Sequence, residues 1–366
     1  MFNGKNFKGK KITRSYAEAR MRFEPLYEVT QIKGDGETHP LLSPNDEFAD
    51  YERWDVSNLS GTAPKEQWML EYEYARSALK MGLKLGKELG VNPYKFGLIG
   101  TTDSHTALAT SREENYFGKY QHTEPSPERH GRDVIPAEDP ALRILTAQEV
   151  ASGLMAVWAR ENTRPELFDA MKRKEVYATT GTRIRVRVFG GWDFAAEEVF
   201  RTDFVAQGYQ RGVPMGGDLR TAPDGKTPTF MIRSLRDPDG ANLDRVQVIK
   251  GWLDDDGKTH ERIYDVAVSG GRAIGEDGRA REPVGDTVDI ENATFTNTIG
   301  STTLATVWSD PDFDPDQAAF SYVRVLEIPT PRWTTYDAAF YDIPLPESVP
   351  PTIQDRAYTS PIWYTP

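Results

Sequence analysis

"KFGLIGTTDSHTA", residues 95–107, is a short apolar run followed at once by a group of polar side chains. The apolar part, Phe96 to Ile99, predicts a buried strand that ends at Gly100. Asp103 and His105 come directly after it, in a chain that holds five histidines. In extended backbone, residues two apart point the same way, so we expect Asp103 and His105 to face one point together.

The segments before this stretch predict a parallel α/β unit. PLYEVTQI (25–32) is a β-prone run, and a polar loop follows it. Apolar residues then recur at helical spacing from about Ala63 to Glu88, and Gly90 predicts the end of that helix. The order strand, loop, helix, strand is typical of parallel sheets, in which functional groups lie at the carboxyl ends of the strands.

After Thr180 the pattern changes to short strands separated by turns. RIRVRVF (183–189) alternates strictly between polar and apolar residues, as a half-buried strand does. Five further runs predict an antiparallel β-sandwich-like domain: PTFMIRSL, DRVQVIKGWL, ERIYDVAV, TTLATVWS and SYVRVLEI. The predicted units are therefore residues 1–182, residues 183–328 and a Pro-rich tail, residues 329–366, that packs back on the body.

The composition argues against several classes of protein. The net charge of −12 is unfavourable for an unaided nucleic-acid binder, which needs a basic face, and it suits a site that collects cations. We find no run of about 18 apolar residues that predicts a membrane span, and no apolar core typical of a secretory signal at the start. Because the chain has no cysteine, disulfides, thiolate nucleophiles and cysteine-ligated zinc are excluded.

Four side chains at adjacent predicted strand ends form a candidate metal site. Glu28 is near the end of the first strand, His39 lies on the loop after it, and Asp103 and His105 follow the second strand. Carboxylates and imidazoles suit zinc, manganese or iron. Each residue also fits a plainer role: Glu28 a salt-bridged strand end, His39 a loop histidine, and the Asp-Ser-His sequence an exposed turn.

Six stretches resemble a large bacterial family of proteins of unknown function. They extend over nearly the whole chain: PLYEVTQIKGDGETHP, FGLIGTTDSHTA, EENYFGK, VYATTGTRIRVRVFGGWDF, YVRVLEIPTPRW and DRAYTSPIWYTP. That family is related to the polymerase-and-histidinol-phosphatase (PHP) metal-dependent phosphoesterases. The resemblance implies an irregular β/α barrel that holds two or three divalent metal ions at its strand ends, with the β-rich segment as an extra domain.

The resemblance also implies roles for the candidate residues. Glu28 matches the metal-bridging glutamate of the family, His39 a later histidine, and Asp103 and His105 its terminal Asp-x-His. The chain differs from the pattern because it contains no His-x-His, which opens the first barrel strand, and only 27 residues precede Glu28. We therefore expect an α/β fold in which residues 1–182 form the C-terminal part of a PHP-like barrel.

These observations predict a metal-dependent hydrolase, above all a phosphoesterase that uses metal-activated water. Lys33, Arg112 and Lys119 lie on flanking loops and are candidates for binding the anionic group of a small-molecule phosphoester, with plain solvent exposure as the alternative. Two other hypotheses stay open: a binding or structural module, and a fragment completed by another chain or by self-association. The last follows because an open parallel sheet edge is hard to keep soluble.

Overall fold

The computed structural model describes residues 2–366, and sheets organise its core. Helix covers 21% of the chain and strand 28%, so the molecule is mostly β. The helices are α1 (Arg14–Phe23), α2 (Gln67–Leu70), α3 (Ala75–Leu89), α4 (Arg164–Lys172), α5 (Phe204–Arg211) and α6 (Trp333–Tyr341). The strands are β1 (Leu26–Gln31), β2 (Gly34–Asp35), β3 (Gly97–Gly100), β4 (Asp133–Ile135), β5 (Ile144–Leu145), β6 (Leu154–Val157), β7 (Val176–Thr179), β8 (Arg185–Gly191), β9 (Gly212–Pro214), β10 (Asp218–Arg220), β11 (Thr229–Leu235), β12 (Leu243–Leu253), β13 (Thr259–Val268), β14 (Thr303–Ser309), β15 (Ala319–Glu327), β16 (Thr330–Pro331), β17 (Thr352–Ile353), β18 (Arg356–Thr359) and β19 (Ile362–Thr365).

Antiparallel pairing dominates, and the predicted fold class, built on a partial PHP-like β/α barrel, is wrong. Within residues 2–366 no closed barrel forms, and the parallel pairs are β1 with β3 and β10 with β19. The reason lies in the connections, because parallel neighbours need a crossover that is usually a helix. Residues 101–153 instead form short 3-10 turns and the antiparallel pair β4–β5, and β6 and β7 then pair antiparallel.

One predicted helix is divided into two. The helix expected over residues 63–88 is interrupted at residues 71–74, which separate α2 from α3. At the start of α3 the backbone N–H of Ala75 donates to the carbonyl oxygen of Gly36 at 2.8 Å. A loop thus satisfies a donor that a helix start leaves unpaired, and no local spacing encodes this contact. The predicted end is confirmed, because Gly90 caps α3 in left-handed backbone with φ 70°.

The six strands predicted in the second half are confirmed, as β8 and β11 to β15. Three of them, β8, β11 and β14, belong to a four-stranded sheet with the order β14-β11-β8-β9. The other three, β12, β13 and β15, belong to an eight-stranded sheet. Its order is β10-β19-β15-β18-β7-β6, and β12 and β13 are joined to it through β15. An apolar cluster takes side chains from both sheets, including Val186 and Ile232 from the smaller one and Val248 and Val323 from the larger. The two sheets therefore pack against each other through these side chains.

The eight-stranded sheet takes strands from all three predicted units. Strands β6 and β7 come from residues 1–182, β10, β12, β13 and β15 from residues 183–328, and β18 and β19 from residues 329–366. The division into domains at these positions stays a prediction. None of the helices within residues 2–366 combines the length and the apolar character that crossing a bilayer requires.

The ends of β1 and β3 meet at one edge of a small sheet with the order β2-β1-β3. In the parallel register Glu28 lies opposite Ile99. A Cβ on Gly100 would lie 2.8 Å from the carbonyl oxygen of Leu154 and 2.9 Å from that of Thr179. Glycine therefore lets the end of β3 pack closely on β6 and β7, and the polar residues that follow emerge beside the end of β1.

Candidate functional site

Asp103 and His105 lie side by side just beyond β3. Asp103 Oδ1 is 3.2 Å from His105 Nε2. The backbone between them is not the extended one expected, because Asp103 has a left-handed φ of 49°. The backbone N–H of His105 donates to the carbonyl oxygen of Lys119 at 2.9 Å. A turn held by this hydrogen bond, rather than strand alternation, brings the two side chains together.

Two lysine ammonium groups bind the Asp103 carboxylate. Lys119 Nζ lies 2.5 Å from Asp103 Oδ2, 2.7 Å from the Asp103 carbonyl oxygen and 3.2 Å from His105 Nε2. Lys33 Nζ contacts the same Oδ2. The Lys119 side chain is 1% exposed and that of His105 is 50% exposed. The group therefore has a buried cation on one side and an open imidazole on the other.

Burial and mutual repulsion shift the protonation of these groups. Burial, and then the charge of Lys119, lowers the pKa of Lys33 to about 8. Burial likewise lowers the pKa of Lys119. Loss of solvation, and then the charges of Lys119 and Lys33, lowers the pKa of His105. His105 is thereby biased toward the neutral imidazole, which is the form that binds metal ions.

Glu28 lies next to these residues, on the neighbouring strand. Its Oε1 accepts a hydrogen bond from the hydroxyl of Thr101. Its charge favours the protonated forms of both lysines, so its carboxylate is within electrostatic range of their ammonium groups. We refer to these residues together as the strand-end cluster: Glu28, Lys33, Asp103, His105 and Lys119.

The contacts of His39 and Arg112 lie outside the strand-end cluster. His39 is 2% exposed, its Nε2 is 2.9 Å from Asp55 Oδ2, and its Nδ1 accepts the backbone N–H of Leu41 at 3.1 Å. Both of its ring nitrogens are thus engaged. Arg112 pairs with Glu114 and lines a separate cavity of about 370 Å³. The structure therefore brings five of the seven candidate residues together, and the roles of His39 and Arg112 stay predictions.

The strand-end cluster is rich in cations of its own. Within residues 2–366 no group of three or more histidine, aspartate or glutamate side chains comes together in a way that could hold a metal ion. The cluster instead combines two carboxylates and one imidazole with two ammonium groups, both of which contact Asp103. The two lysines therefore neutralise the negative charge of Asp103.

Sequence reasoning missed Glu149, a buried acid near Lys119. The hydroxyl of Tyr116 donates to Glu149 Oε2 at 2.6 Å, and Glu149 Oε1 is buried without a hydrogen-bond partner. Burial raises the pKa of Glu149 to about 7, although the hydrogen bond from Tyr116 and the charge of Lys119 act in the opposite direction. The spacing of Thr146 and Glu149 is that of a capping box, but the Glu149 side chain binds Tyr116 instead. Only the tertiary pairing with Tyr116 reveals its position.

A comparison with protein families places the whole chain in one group. The model of the family described as "Protein of unknown function (DUF3604)" matches residues 1–366. The chain belongs to the DUF3604 family. No curated protein matches it. The DUF3604 match includes the strand-end cluster and the β-rich half alike, and the relation of DUF3604 to PHP enzymes stays a prediction.

The strand-end cluster of this DUF3604 protein offers three kinds of chemistry. The carboxylates of Glu28 and Asp103 and the neutral imidazole of His105 are donors for a cation. The partly exposed ammonium group of Lys33 can bind an anion such as a phosphate, with the charge of the buried Lys119 behind it. The half-exposed imidazole can also exchange protons with a bound molecule. These side chains lie near the carboxyl ends of two parallel strands, β1 and β3.

Proposed function

We propose that this DUF3604 chain is a metal-dependent hydrolase whose substrate is a small phosphoester. One observation carries the proposal: Asp103 Oδ1 and His105 Nε2 lie 3.2 Å apart at the carboxyl end of a parallel strand, with two ammonium groups beside them. Groups that can bind a metal cation therefore lie beside groups that attract an anion. Hydrolysis of a phosphoester by a metal ion needs both.

The spacing of Asp103 and His105 fits two ligands of one divalent ion. Two ligand atoms at about 2.0–2.2 Å from one tetrahedral ion are separated by roughly 3.3–3.6 Å, which is close to the spacing of the Asp103 and His105 donor atoms. Lys119 Nζ also acts as a stand-in cation, because it contacts Asp103 Oδ2 and His105 Nε2. Asp103 and His105 would hold the ion as two protein ligands. The carboxylate of Glu28 binds the Thr101 hydroxyl and does not converge with them, so it would have to turn toward the ion to become a third ligand. Zinc, manganese and iron match these ligand types.

Each remaining residue of the cluster has a role that follows from its own chemistry. When bound, a divalent ion would lower the pKa of water and polarise a phosphoryl oxygen. Lys33, whose side chain is 23% exposed, would bind a phosphate oxygen through its ammonium group, and the buried Lys119 would add positive charge behind it. The exposed side of His105 leaves the cluster open to a substrate. The buried side, formed by Lys119, excludes water and strengthens the electrostatic contacts.

A second candidate is a binding or structural module without catalysis. It is favoured by the ion pairs of Asp103, whose Oδ2 contacts both Lys33 and Lys119. In this second candidate, the sole role of the neutralised cluster is to hold the turn after β3 in place. The two candidates differ in whether exchange of Asp103 abolishes turnover or changes stability alone.

Hydrolysis of 4-nitrophenyl phosphate and bis(4-nitrophenyl) phosphate with added Zn²⁺, Mn²⁺ or Fe²⁺ tests the proposal. Asp103→Asn and His105→Gln should each lower turnover by about 100-fold or more, because each removes a metal donor. His260→Gln is the matched control, since His260 Nε2 also pairs with an aspartate, Asp254, at 2.6 Å on the hairpin of β12 and β13. Thermal unfolding checks that each variant is folded. The proposal would be overturned if the wild-type chain, Asp103→Asn, His105→Gln and His260→Gln all showed the same turnover.

A further inference from the structure

We infer that the four-stranded sheet carries a binding site for a small organic anion with an apolar, aromatic body. A cavity of about 840 Å³ lies over β8 and β11, next to α5 and the chain after β6. Its volume is in the range of small-molecule sites, roughly 300–1,000 Å³. None of its lining residues belongs to the strand-end cluster, so this arginine pocket is a separate site.

The charge of the arginine pocket is opposite to that of the protein. Five arginines line it against a single carboxylate, that of Glu175, whereas the whole chain has a net charge of −12. The arginines are Arg160, Arg173, Arg185, Arg187 and Arg233. Such a local excess of guanidinium groups attracts and orients an anion, because guanidinium forms paired hydrogen bonds with carboxylate, sulfate and phosphate.

Two of these arginines are paired across the sheet. Arg187 on β8 lies directly opposite Arg233 on β11 in the antiparallel register. Like charges in this position destabilise a sheet. Arg185 is two residues before Arg187 and therefore shares its face of β8, away from Val186 and the core between the sheets. A bound anion on this face would offset the repulsion among the three guanidinium groups.

Arg187 is built into the pocket as a buried and incompletely satisfied cation. It is 7% exposed, one Nη is 3.0 Å from Glu175, and it also donates to the hydroxyl of Tyr209. Its Nε is buried without a hydrogen-bond partner. An unpaired donor of a buried charged group is costly, and an acceptor atom of a ligand would satisfy it.

The walls of the pocket specify the rest of the ligand. The guanidinium of Arg187 lies 4.4 Å from the ring centre of Trp158, and that of Arg233 lies 4.0 Å from the ring centre of Phe204. Tyr209, which is 48% exposed, forms a third aromatic wall. An inorganic anion would leave these surfaces uncovered. A ligand with a flat apolar body and one acidic group would contact the rings and the guanidinium groups together.

Calorimetric titration with 2-naphthalenesulfonate tests this inference, with neutral 2-naphthalenemethanol and sodium sulfate as matched ligands. We expect the sulfonate to bind at least about tenfold more tightly than either, because only it offers both an aromatic body and an anionic group. Arg185→Gln should weaken its binding about fivefold, because one exposed guanidinium is lost. Arg187→Met should weaken it more, and Arg187→Lys should retain part of the affinity.

Arg220→Gln serves as the control, since Arg220 is an exposed arginine on β10 that does not line the pocket. It should bind the sulfonate like the wild-type chain. Asp103→Asn should also bind it normally, so failure of the proposed hydrolase would leave this inference standing. The inference is overturned if the wild-type chain does not bind the sulfonate, if the neutral compound binds equally well, or if Arg185→Gln binds it as the wild type does.

Discussion

Lys119 Nζ lies 2.5 Å from Asp103 Oδ2, in the cluster where the proposed metal ion would bind. It also contacts His105 Nε2 at 3.2 Å, so an ammonium group bridges the two metal-ligand candidates. Since Lys119 is almost fully buried, this contact is part of the packed interior. The proposed metal ion would therefore compete with a lysine that belongs to the protein itself.

Replacement of Lys119 by Met should strengthen metal binding. The change removes one of the two ammonium groups that contact Asp103 Oδ2 and leaves only Lys33 there, so we expect the affinity for Mn²⁺ to rise about tenfold or more. Isothermal titration with Mn²⁺ measures this. Lys65→Met, which removes a lysine paired with Glu73 at 2.6 Å, is the control and should leave the affinity unchanged. An unchanged or weaker affinity in Lys119→Met would show that the ammonium does not compete for the site.

Replacement of Asp103 by Asn should destabilise the metal-free chain. It leaves the ammonium groups of Lys33 and Lys119 without the carboxylate that both contact, at a cost of about 1–3 kcal/mol in the free energy of unfolding. Urea unfolding provides the measurement. Asp256→Asn, on an exposed turn, should have no effect. Adding Lys33→Met to Asp103→Asn should restore part of the lost stability, because it removes one of the two unpaired ammonium groups. If the effects of the two substitutions on the free energy of unfolding simply add, Lys33 and Asp103 are not coupled.

Glu149 should make the protein less stable as the pH rises toward neutrality. Its pKa is raised by burial from 4.5 to about 7, while Tyr116, Lys119 and Arg129 act against this shift. Below pH 4.5 both folded and unfolded states hold the proton. Between pH 4.5 and 7 the folded state keeps the proton and the unfolded state loses it, so the free energy of unfolding falls by roughly 3 kcal/mol as pH rises.

Urea unfolding of Glu149→Gln at a series of pH values between 4 and 8 measures this contribution. Because Gln does not titrate, the variant should lose the decline that Glu149 causes. Glu138→Gln, in an exposed loop, is the matched control and should keep the wild-type profile. If the free energy of unfolding of Glu149→Gln declined with pH in parallel with the wild type, Glu149 would not be the cause of the decline.

Asp46 should have the opposite effect to Glu149: its contribution to stability is lost as the pH falls into the acidic range. Burial opposes its charge, but Arg324 at 2.7 Å and Arg76 at 2.8 Å outweigh burial and hold the pKa of Asp46 well below its usual range. Its contribution is complete above the ordinary value of 3.8 and is lost as the pH falls below it. Asp46→Asn should cost about 3–5 kcal/mol at pH 7, because it leaves two buried guanidinium groups short of a partner.

Acid-induced unfolding followed by circular dichroism tests the role of Asp46. The variant should start from lower stability at pH 7 and lose less of it on acidification than the wild type. Asp50→Asn, whose side chain is largely exposed and pairs with Arg53, is the control. If Asp46→Asn kept the wild-type stability at pH 7, the buried pairs would not contribute as the geometry indicates.

Local patterns in the sequence predicted the local structure well. Strict alternation in RIRVRVF corresponds to β8, and the Gly90 signal marks the end of α3. The short separation of Asp103 and His105 was sufficient to predict that they meet, although a left-handed turn rather than a strand achieves it. Signals of this kind depend on a few neighbouring residues, which is why sequence reasoning captures them.

Features that depend on distant contacts were not predictable from the sequence. His39 is engaged by Asp55, 16 residues away along a loop without periodic pattern. Arg187 and Arg233 meet through strand register, so the arginine pocket is invisible until β8 and β11 are paired. The predicted barrel failed for the same reason, because the order of strands near β3 predicts parallel pairing, whereas later strands decide which sheets form.

Metal content of the purified chain, measured by mass spectrometry, tests the proposed function most directly. We predict near-stoichiometric zinc, manganese or iron in the wild-type chain, its loss in Asp103→Ala and its retention in the matched Asp254→Ala variant. Asp254 is a suitable control because it also pairs with a histidine, His260, outside the strand-end cluster. A wild-type chain without metal, or one whose metal persists in Asp103→Ala, would contradict a metal site at the strand-end cluster.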